Sequence, residues 1–232
     1  MYMIDFHRHI TLPFDSSNID TYWYATTRVS EYPLYKQDKR HYHGYGYLYE
    51  ENSDDIIQII ERHLKIDSLG YIGEVGIDKN LISLVSLEKQ LEVVHSLTSL
   101  AIFYKRPIVF HVNASFELME EIFTLGKGKI TMIIHHYTGS VETAHELFNK
   151  GVYVCIGPRV WQKEMKLNRR IDELNIPILL ETDYTRDNEH QYEKLLQDHY
   201  RWYEDKKNIA HTILVEQMHE LSSIFQNSSI NR

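Results

Sequence analysis

Short apolar or β-branched runs alternate along this chain with longer stretches whose apolar residues recur at helical spacing. Eight runs read as strands: Tyr2–His7, Tyr22–Thr27, Tyr42–Leu48, Tyr71–Val75, Ile108–His111, Ile130–His135, Val152–Ile156 and Ile178–Thr182. Between them the spacing predicts amphipathic helices. Ile56, Ile57, Ile60 and Leu64 form one stripe, and Leu84, Leu87, Leu91, Val94 and Ala101 a second. Phe116, Met119, Ile122 and Phe123 form a third, and Val141, Ala144, Leu147 and Phe148 a fourth. Ser140 is placed to cap the fourth, with Glu142 in its first turn. Two more helices are expected over about 189–206 and 208–225, followed by a frayed end over 226–232.

Eight strands with helical crossovers make this an α/β chain, and the count points to a (β/α)8 TIM-type barrel. An open doubly wound sheet satisfies the same alternation. No clear amphipathic helix lies between Thr11 and Tyr42, so the barrel is expected to be distorted in its N-terminal part. With 232 residues and no repeat or Pro/Gly/Ser-rich linker, residues 1–232 read as one barrel domain, with 189–232 as helices packed on the barrel.

Composition narrows the possibilities. No apolar run reaches the roughly 18–20 residues that cross a bilayer, so no membrane association is expected. Met1-Tyr2-Met3-Ile4-Asp5 does not open a signal peptide, and a cytoplasmic location is the default. The single cysteine, Cys155, excludes an internal disulfide framework and a Cys-rich zinc module. The net charge of −8 opposes broad, non-specific adhesion to nucleic acid but permits one local positive site. The 14 histidines are numerous, and their placement carries the argument.

In Asp5-Phe6-His7-Arg8-His9, His7 and His9 are two apart and share a strand face. They fall near the C-terminal end of the first strand, where barrel enzymes build their sites. Alone, this pattern reads equally well as two polar histidines at a strand end. Four further strands also finish in side chains able to ligate a metal. Gly73-Glu74-Val75-Gly76-Ile77-Asp78 closes the fourth, His111 the fifth, His135-His136 the sixth, and Glu181-Thr182-Asp183 the eighth. So many uncompensated polar groups at buried strand ends would be costly, and a shared metal site accounts for them together. Glycines 73 and 76 allow close backbone approach around Glu74.

In this order, D-x-H-x-H, G-E-V-G-I-D, P-I-V-F-H, H-H-Y-T-G-S and E-T-D resemble the motifs of the TatD family of metal-dependent deoxyribonucleases, within the amidohydrolase superfamily. The resemblance runs from Asp5 to about Asp183. It implies a metal-dependent hydrolase with two divalent ions, Zn, Mn, Fe or Mg. His7 and His9 would bind the first ion, Glu74 would bridge, His111 and His135 would hold the second, and Asp183 would ligate the first and accept a proton from the attacking water. Glu74 and Asp183 are thus the catalytic carboxylates that the resemblance implies. His136 falls where the family often has a small residue and is left outside the ligand set. Mixed imidazole and carboxylate donors suit zinc, manganese or iron, whereas magnesium prefers oxygen. Two divalent ions outweigh the charges of Glu74 and Asp183, so the pocket would be positive inside an acidic chain. That suits a phosphodiester, and DNA ends are the substrate the family implies; no obligate protein partner is inferred.

Two family positions differ. The family's Gly-x-His-Pro after the third strand is here Gly46-Tyr47-Leu48-Tyr49, and the arginine expected two residues after His111 is Asn113. Both missing groups suit an anionic substrate. Their loss motivates an alternative, hydrolysis of a small ester, amide or lactone; a non-catalytic metal-binding protein is the third reading. Among supporting residues, Asp5 is expected to orient a ligand histidine, Asp78 to hydrogen-bond within its loop, and Glu181 either to support the ligands or to pair with a cation. Tyr184 and Arg186 are placed to touch substrate. Eight tyrosines between Tyr22 and Tyr49, interleaved with Arg28, Lys36, Lys39 and Arg40, could stack on single-stranded nucleic acid; packing with hydroxyls outward is the reading adopted. No G-x-S-x-G, P-loop or dinucleotide fingerprint is present. His145-Glu146 and His219-Glu220 lack the second histidine of a zincin.

Overall fold

Each apolar run becomes a strand in the computed structural model, which describes residues 3–9, 19–32, 41–49, 55–186 and 188–230. The strands are β1 (Met3–Arg8), β2 (Ile19–Ala25), β3 (His41–Tyr47), β4 (Tyr71–Asp78), β5 (Ile108–Asn113), β6 (Met132–Ile134), β7 (Val152–Ile156) and β8 (Ile178–Leu180). Every strand pairs in parallel with the next, so the sheet runs β1 to β8 in chain order. This order lacks the reversal that defines a doubly wound sheet. The seam between the first and last strands lies just beyond β8. There Asp183 N–H donates to His7 O (3.0 Å), His9 N–H donates to Tyr184 O (2.8 Å), and Arg8 bridges Tyr184 in parallel.

The helices are α1 (Ile56–Ile66), α2 (Leu87–Tyr104), α3 (Glu120–Gly126), α4 (Val141–Asn149), α5 (Lys166–Arg170), α6 (Glu189–Lys207) and α7 (His211–Ile230). Strands covered on one side by helices and on the other by the barrel interior are buried on both faces, and all six residues of β1 are buried. The α1 stripe packs as expected through Ile56, Ile60 and Leu64. Ser140 caps α4 by accepting from Thr143 N–H at 3.2 Å.

Several local expectations are corrected. Leu84 sits in the turn before α2 and is 71% exposed. The buried face of α2 carries Gln90 and Thr98 beside Val94, Leu97 and Ala101. Gln90 is placed there by hydrogen bonding: its side chain accepts from Asp78 N–H (2.7 Å) and donates to Asp78 O (3.2 Å) and Val85 O (2.9 Å). The third stripe starts as a 3-10 turn over Phe116–Met119 before α3 begins. The frayed terminus is replaced by an α7 that continues to Ile230. No Gly or Pro interrupts residues 209–230. Phe225 anchors α7, its ring lying 6.0 Å from Phe6, 6.1 Å from Trp23 and 5.1 Å from Tyr153. These rings belong to strands that are not all neighbours, so Phe225 lies across the barrel rather than against one strand.

In the N-terminal part, β1 and β2 pair with register shifts between Met3 and Ile4 and between Asp5 and Arg8. Lys36, Lys39 and Arg40, and half of the region expected to lack a helix, lie outside the described residues, as does Tyr2. The described tyrosines 32, 42, 45, 47 and 49 are buried, in keeping with packing, but the hydroxyls of Tyr32, Tyr45 and Tyr49 donate to Gly46 O, Asp67 and Gln90 O inside the protein instead of facing outward. Among the described residues no helix is long and apolar enough to cross a membrane.

Candidate metal centre

The C-terminal ends of five strands converge on Glu74. Its Oε1 lies 2.7 Å from His111 Nδ1 and 2.9 Å from His135 Nε2. Its Oε2 lies 2.9 Å from His9 Nε2 and 3.3 Å from His7 Nε2. One carboxylate thus faces two pairs of imidazoles, one pair on each oxygen. Within the pairs, His7 Nε2 and His9 Nε2 stand 3.1 Å apart, and His111 Nδ1 and His135 Nε2 stand 3.0 Å apart. Asp183 Oδ1 completes the cluster at 3.6 Å from His9 Nε2 and 3.9 Å from His7 Nε2. All six side chains of the expected ligand set therefore meet in space.

The backbone explains the convergence. Gly76 pairs with His111 across β4 and β5, and any Cβ there would collide with the His111 carbonyl oxygen. That close approach brings the Glu74 strand end against the fifth strand. On the far side, the Asp5 carboxylate accepts from His7 N–H (3.2 Å), Thr182 N–H (3.0 Å), Thr182 Oγ1 (2.6 Å) and Tyr192 OH (2.9 Å). Asp5 was expected to orient a ligand imidazole. It holds backbone instead, fixing the His7 end of β1 to the segment carrying Asp183. Burial pushes the Asp5 carboxyl up, while Arg8 and these donors counter the shift.

Burial divides the cluster. The side chains of His7, Glu74 and His135 are essentially closed to solvent, whereas His9, His111 and Asp183 are each about one-quarter exposed. The open side is therefore lined by His9, His111 and Asp183. Burial opposes the Glu74 charge, but His135, His111 and His7 outweigh it and hold its carboxyl well below the usual range. Burial likewise opposes the Asp183 charge, and the His136 contact with the surrounding imidazoles holds that carboxyl low. His7 is pushed down to about 3 by burial and by neighbouring His135, so it is a neutral donor. His9 moves the other way, to about 9, because Glu74 and Asp183 outweigh its burial.

These groups fit divalent ions. Glu74 Oε2 is buried without an aligned hydrogen bond despite two imidazole nitrogens close by, and His7 Nδ1 is also unsatisfied. Several imidazole nitrogens crowded on one buried carboxylate, with too few hydrogens to satisfy them all, are a donor set that suits a shared cation. His7, His9 and Glu74 form one group of potential ligands, Glu74, His111 and His135 a second, and His7, His135 and Glu181 a third, each with ligand atoms within 4.8 Å of one another.

Among the supporting residues, Asp78 hydrogen-bonds within its loop as expected. Asp78 accepts from Asn80 N–H (2.7 Å) and Asn113 Nδ2 (2.8 Å), with its other oxygen 3.3 Å from His111 Nε2. It braces His111 and occupies the Asn113 amide. Glu181 is fully buried, accepts from His136 N–H at 2.7 Å, and lies 3.9 Å from His135 Nδ1. Burial and the nearby Asp183 charge push its carboxyl far up. Tyr184, expected at the substrate, is buried against the Tyr192 ring with its hydroxyl on Asn188 O, so its side chain serves the packing of α6; Arg186 is exposed. The residue missed from the sequence is His136, whose Nδ1 lies 2.8 Å from Asp183 Oδ2. Both residues have left-handed backbones, φ 51° and 50°, a conformation costing about 1–3 kcal/mol away from glycine. Aspartate and histidine visit this region more readily than most side chains, which is only a weak signal of the bend.

The sequence profile of the family described as TatD related DNase matches residues 29–227. An uncharacterized metal-dependent hydrolase of Methanocaldococcus jannaschii is 33% identical over 113 residues, 48% of this chain and 43% of that protein. The chain thus spans less than half the length of that curated relative. The fold is similar to that of YjjV, a TatD homolog from Escherichia coli K12, with a TM-score of 0.81 and 16% identity over 97% of this chain and 98% of that one. A TatD family hydrolase from Entamoeba histolytica gives 0.75 and 15% over 97% of each chain. An uncharacterized amidohydrolase from Saccharomyces cerevisiae gives 0.66 and 12% over 90% and 89%. At these identities the structural likenesses establish the TIM-barrel fold.

Proposed function

We propose that this chain, which belongs to the family of TatD-related DNases, is a metal-dependent hydrolase that cleaves phosphodiester bonds, with DNA ends as its substrate class. The observation that carries the reading is the meeting of His7, His9, Glu74, His111, His135 and Asp183 around an unsatisfied Glu74 oxygen. Divalent ions bound by these six residues would stabilise phosphoryl oxygens and acidify a water. The protein's own groups do the rest. His7, His135 and Glu74 form a closed floor. Asp183 stands on the open side with its carboxyl kept ionised, ready to take a proton from the attacking water.

Phosphodiester substrates are favoured by charge placement. Between Arg159 and Arg170, in the segment that leaves the site end of β7, the sequence holds five cations and one carboxylate, Glu164, and of the five Arg170 is paired with Glu142 and Glu173. Arg159, Lys163, Lys166, Arg169 and Arg170 are exposed. This positive arm on an acidic protein can attract a polyanion, and it offers a substitute for the family cations missing at Leu48 and Asn113. The second reading, a small ester, amide or lactone substrate, draws on Asn113 itself, whose amide is bound to Asp78 and offers no positive charge.

The test is elemental analysis of the purified protein with chelator-controlled assays on single-stranded DNA, bis(p-nitrophenyl) phosphate and p-nitrophenyl acetate. Metal-dependent cleavage of the first two is expected, abolished in Asp183→Asn without loss of fold. Turnover of the carbonyl ester alone would transfer the assignment to the second reading. Full activity of Asp183→Asn would refute the role given to that carboxylate.

A further inference from the structure

Asp183 has two carboxylate oxygens, and they face different groups. Oδ1 looks inward to His9 and His7, at 3.6 and 3.9 Å. Oδ2 looks outward to His136 Nδ1, at 2.8 Å. The approach is a close polar contact, with the buried ring nitrogen not aligned for a regular hydrogen bond; Oδ2 is the carboxylate oxygen it faces. We propose that His136 is a positioning residue for Asp183: its imidazole holds the outer carboxylate oxygen and thereby keeps the inner oxygen turned toward the His7–His9 pair.

The backbone supports this assignment. Without restraint, a carboxylate on the open side of the site could rotate about χ2, a broad torsion. Here both partners are fixed before their side chains meet. His136 is held in its left-handed bend by its N–H on buried Glu181 Oε1, at 2.7 Å. Asp183 is held in its own left-handed bend by its N–H on His7 O, at 3.0 Å. Two such conformations, on the loops after β6 and β8, each pinned by a separate hydrogen bond, aim the two side chains at one another. Strained backbone persists where its surroundings over-determine it, and such positions cluster at functional sites. The contact also gives Glu181 a purpose apart from ligation: it anchors the residue that holds the base. The inference rests on Asp183 serving the hydrolytic centre.

Two variants separate positioning from structure. His136→Asn places an amide nitrogen where Nδ1 stands and tolerates a left-handed backbone. His136→Gly keeps the backbone and removes the donor. In metal-loaded protein acting on bis(p-nitrophenyl) phosphate, His136→Gly should lower kcat roughly tenfold to a hundredfold, with KM and metal content unchanged. His136→Asn should stay close to the wild type. Unchanged kcat in His136→Gly, loss of its metal, or equal impairment of His136→Asn would each overturn the proposal. Nitrogen-15 NMR of His136 gives a readout independent of turnover. The proton should reside on Nδ1 in the wild type, with its resonance moved in Asp183→Asn; a bare Nδ1 overturns the proposal. If no phosphodiester is cleaved, the functional reading fails, and the NMR result alone decides the His136–Asp183 contact.

Discussion

Acid should loosen this protein through His199, which is outside the ligand set. His199 lies on α6, fully buried. Its Nδ1 accepts from the Trp161 indole N–H at 2.9 Å, which fixes the tautomer, and Nε2–H donates to Ile156 O at 2.7 Å. A second proton would have to sit on Nδ1, facing another donor. Burial, only partly offset by the Ile156 bond, lowers its pKa from 6.5 to about 4. The folded state therefore refuses a proton that the unfolded chain accepts. The corresponding stability is intact above about pH 6.5 and is lost as pH falls toward 4. At 1.36 kcal/mol per unit, the loss between about pH 7 and pH 4.5 comes to roughly 2–3 kcal/mol. Urea unfolding, followed by far-UV circular dichroism at several pH values, measures it when wild type is compared with His199→Gln. Glutamine can donate and accept in the same place without titrating. The two stability curves should diverge by that amount on acidification. Parallel curves would falsify the account, as would an NMR titration of His199 near 6.5. Ile156 O also receives Glu181 N–H at 3.2 Å, so the same protonation should loosen the β7–β8 junction beside the metal centre.

Other outcomes follow from the same geometry. Gly76→Ala drives a methyl group into the His111 carbonyl; β4 and β5 must part, and a loss of more than about 3 kcal/mol is expected in chemical denaturation. Thr182→Val removes the 2.6 Å donor to buried Asp5, a change expected to cost about 1–3 kcal/mol and to reduce turnover by loosening the His7–Asp183 seam; equal kcat in both proteins would contradict that link. Removal of metal with a chelator should lower the thermal midpoint, and a divalent ion at about 100 times its Kd should restore roughly 2.7 kcal/mol, read by calorimetry. Replacing Arg159, Lys163 and Lys166 together by Glu should raise KM for long single strands while leaving that for bis(p-nitrophenyl) phosphate unchanged, and should flatten the salt dependence of binding measured by fluorescence anisotropy.

Much of this architecture could be read from residue patterns because buried parallel strands are written as apolar runs and their functional ends as interruptions. Ile108-Val109-Phe110 followed by His111 is such a case, and the strand end carrying Glu74 is another. What the pattern could not carry was direction. Asp5 was legible as important, but whether its carboxylate would reach an imidazole or the backbone of His7 and Thr182 depends on the seam between the first and last strands. The His136–Asp183 contact depends on two left-handed residues, a bend that histidine and aspartate tolerate better than most but do not specify. The seating of α7 depends on Phe225 meeting Phe6, Trp23 and Tyr153, residues remote in sequence. Tyr184 misled because adjacency to Asp183 along the chain was taken as adjacency to the open face; its ring packs on Tyr192 instead.

The central carboxylate has a further consequence. Because the two oxygens of Glu74 look toward different histidine pairs, neither half of the donor set can be rebuilt alone. Whatever occupies one half orders the residue shared with the other, so loading should be cooperative, and a swap of one imidazole should weaken capture on the opposite side as well as its own. Selective pressure on ion preference would then act on the pair as one unit.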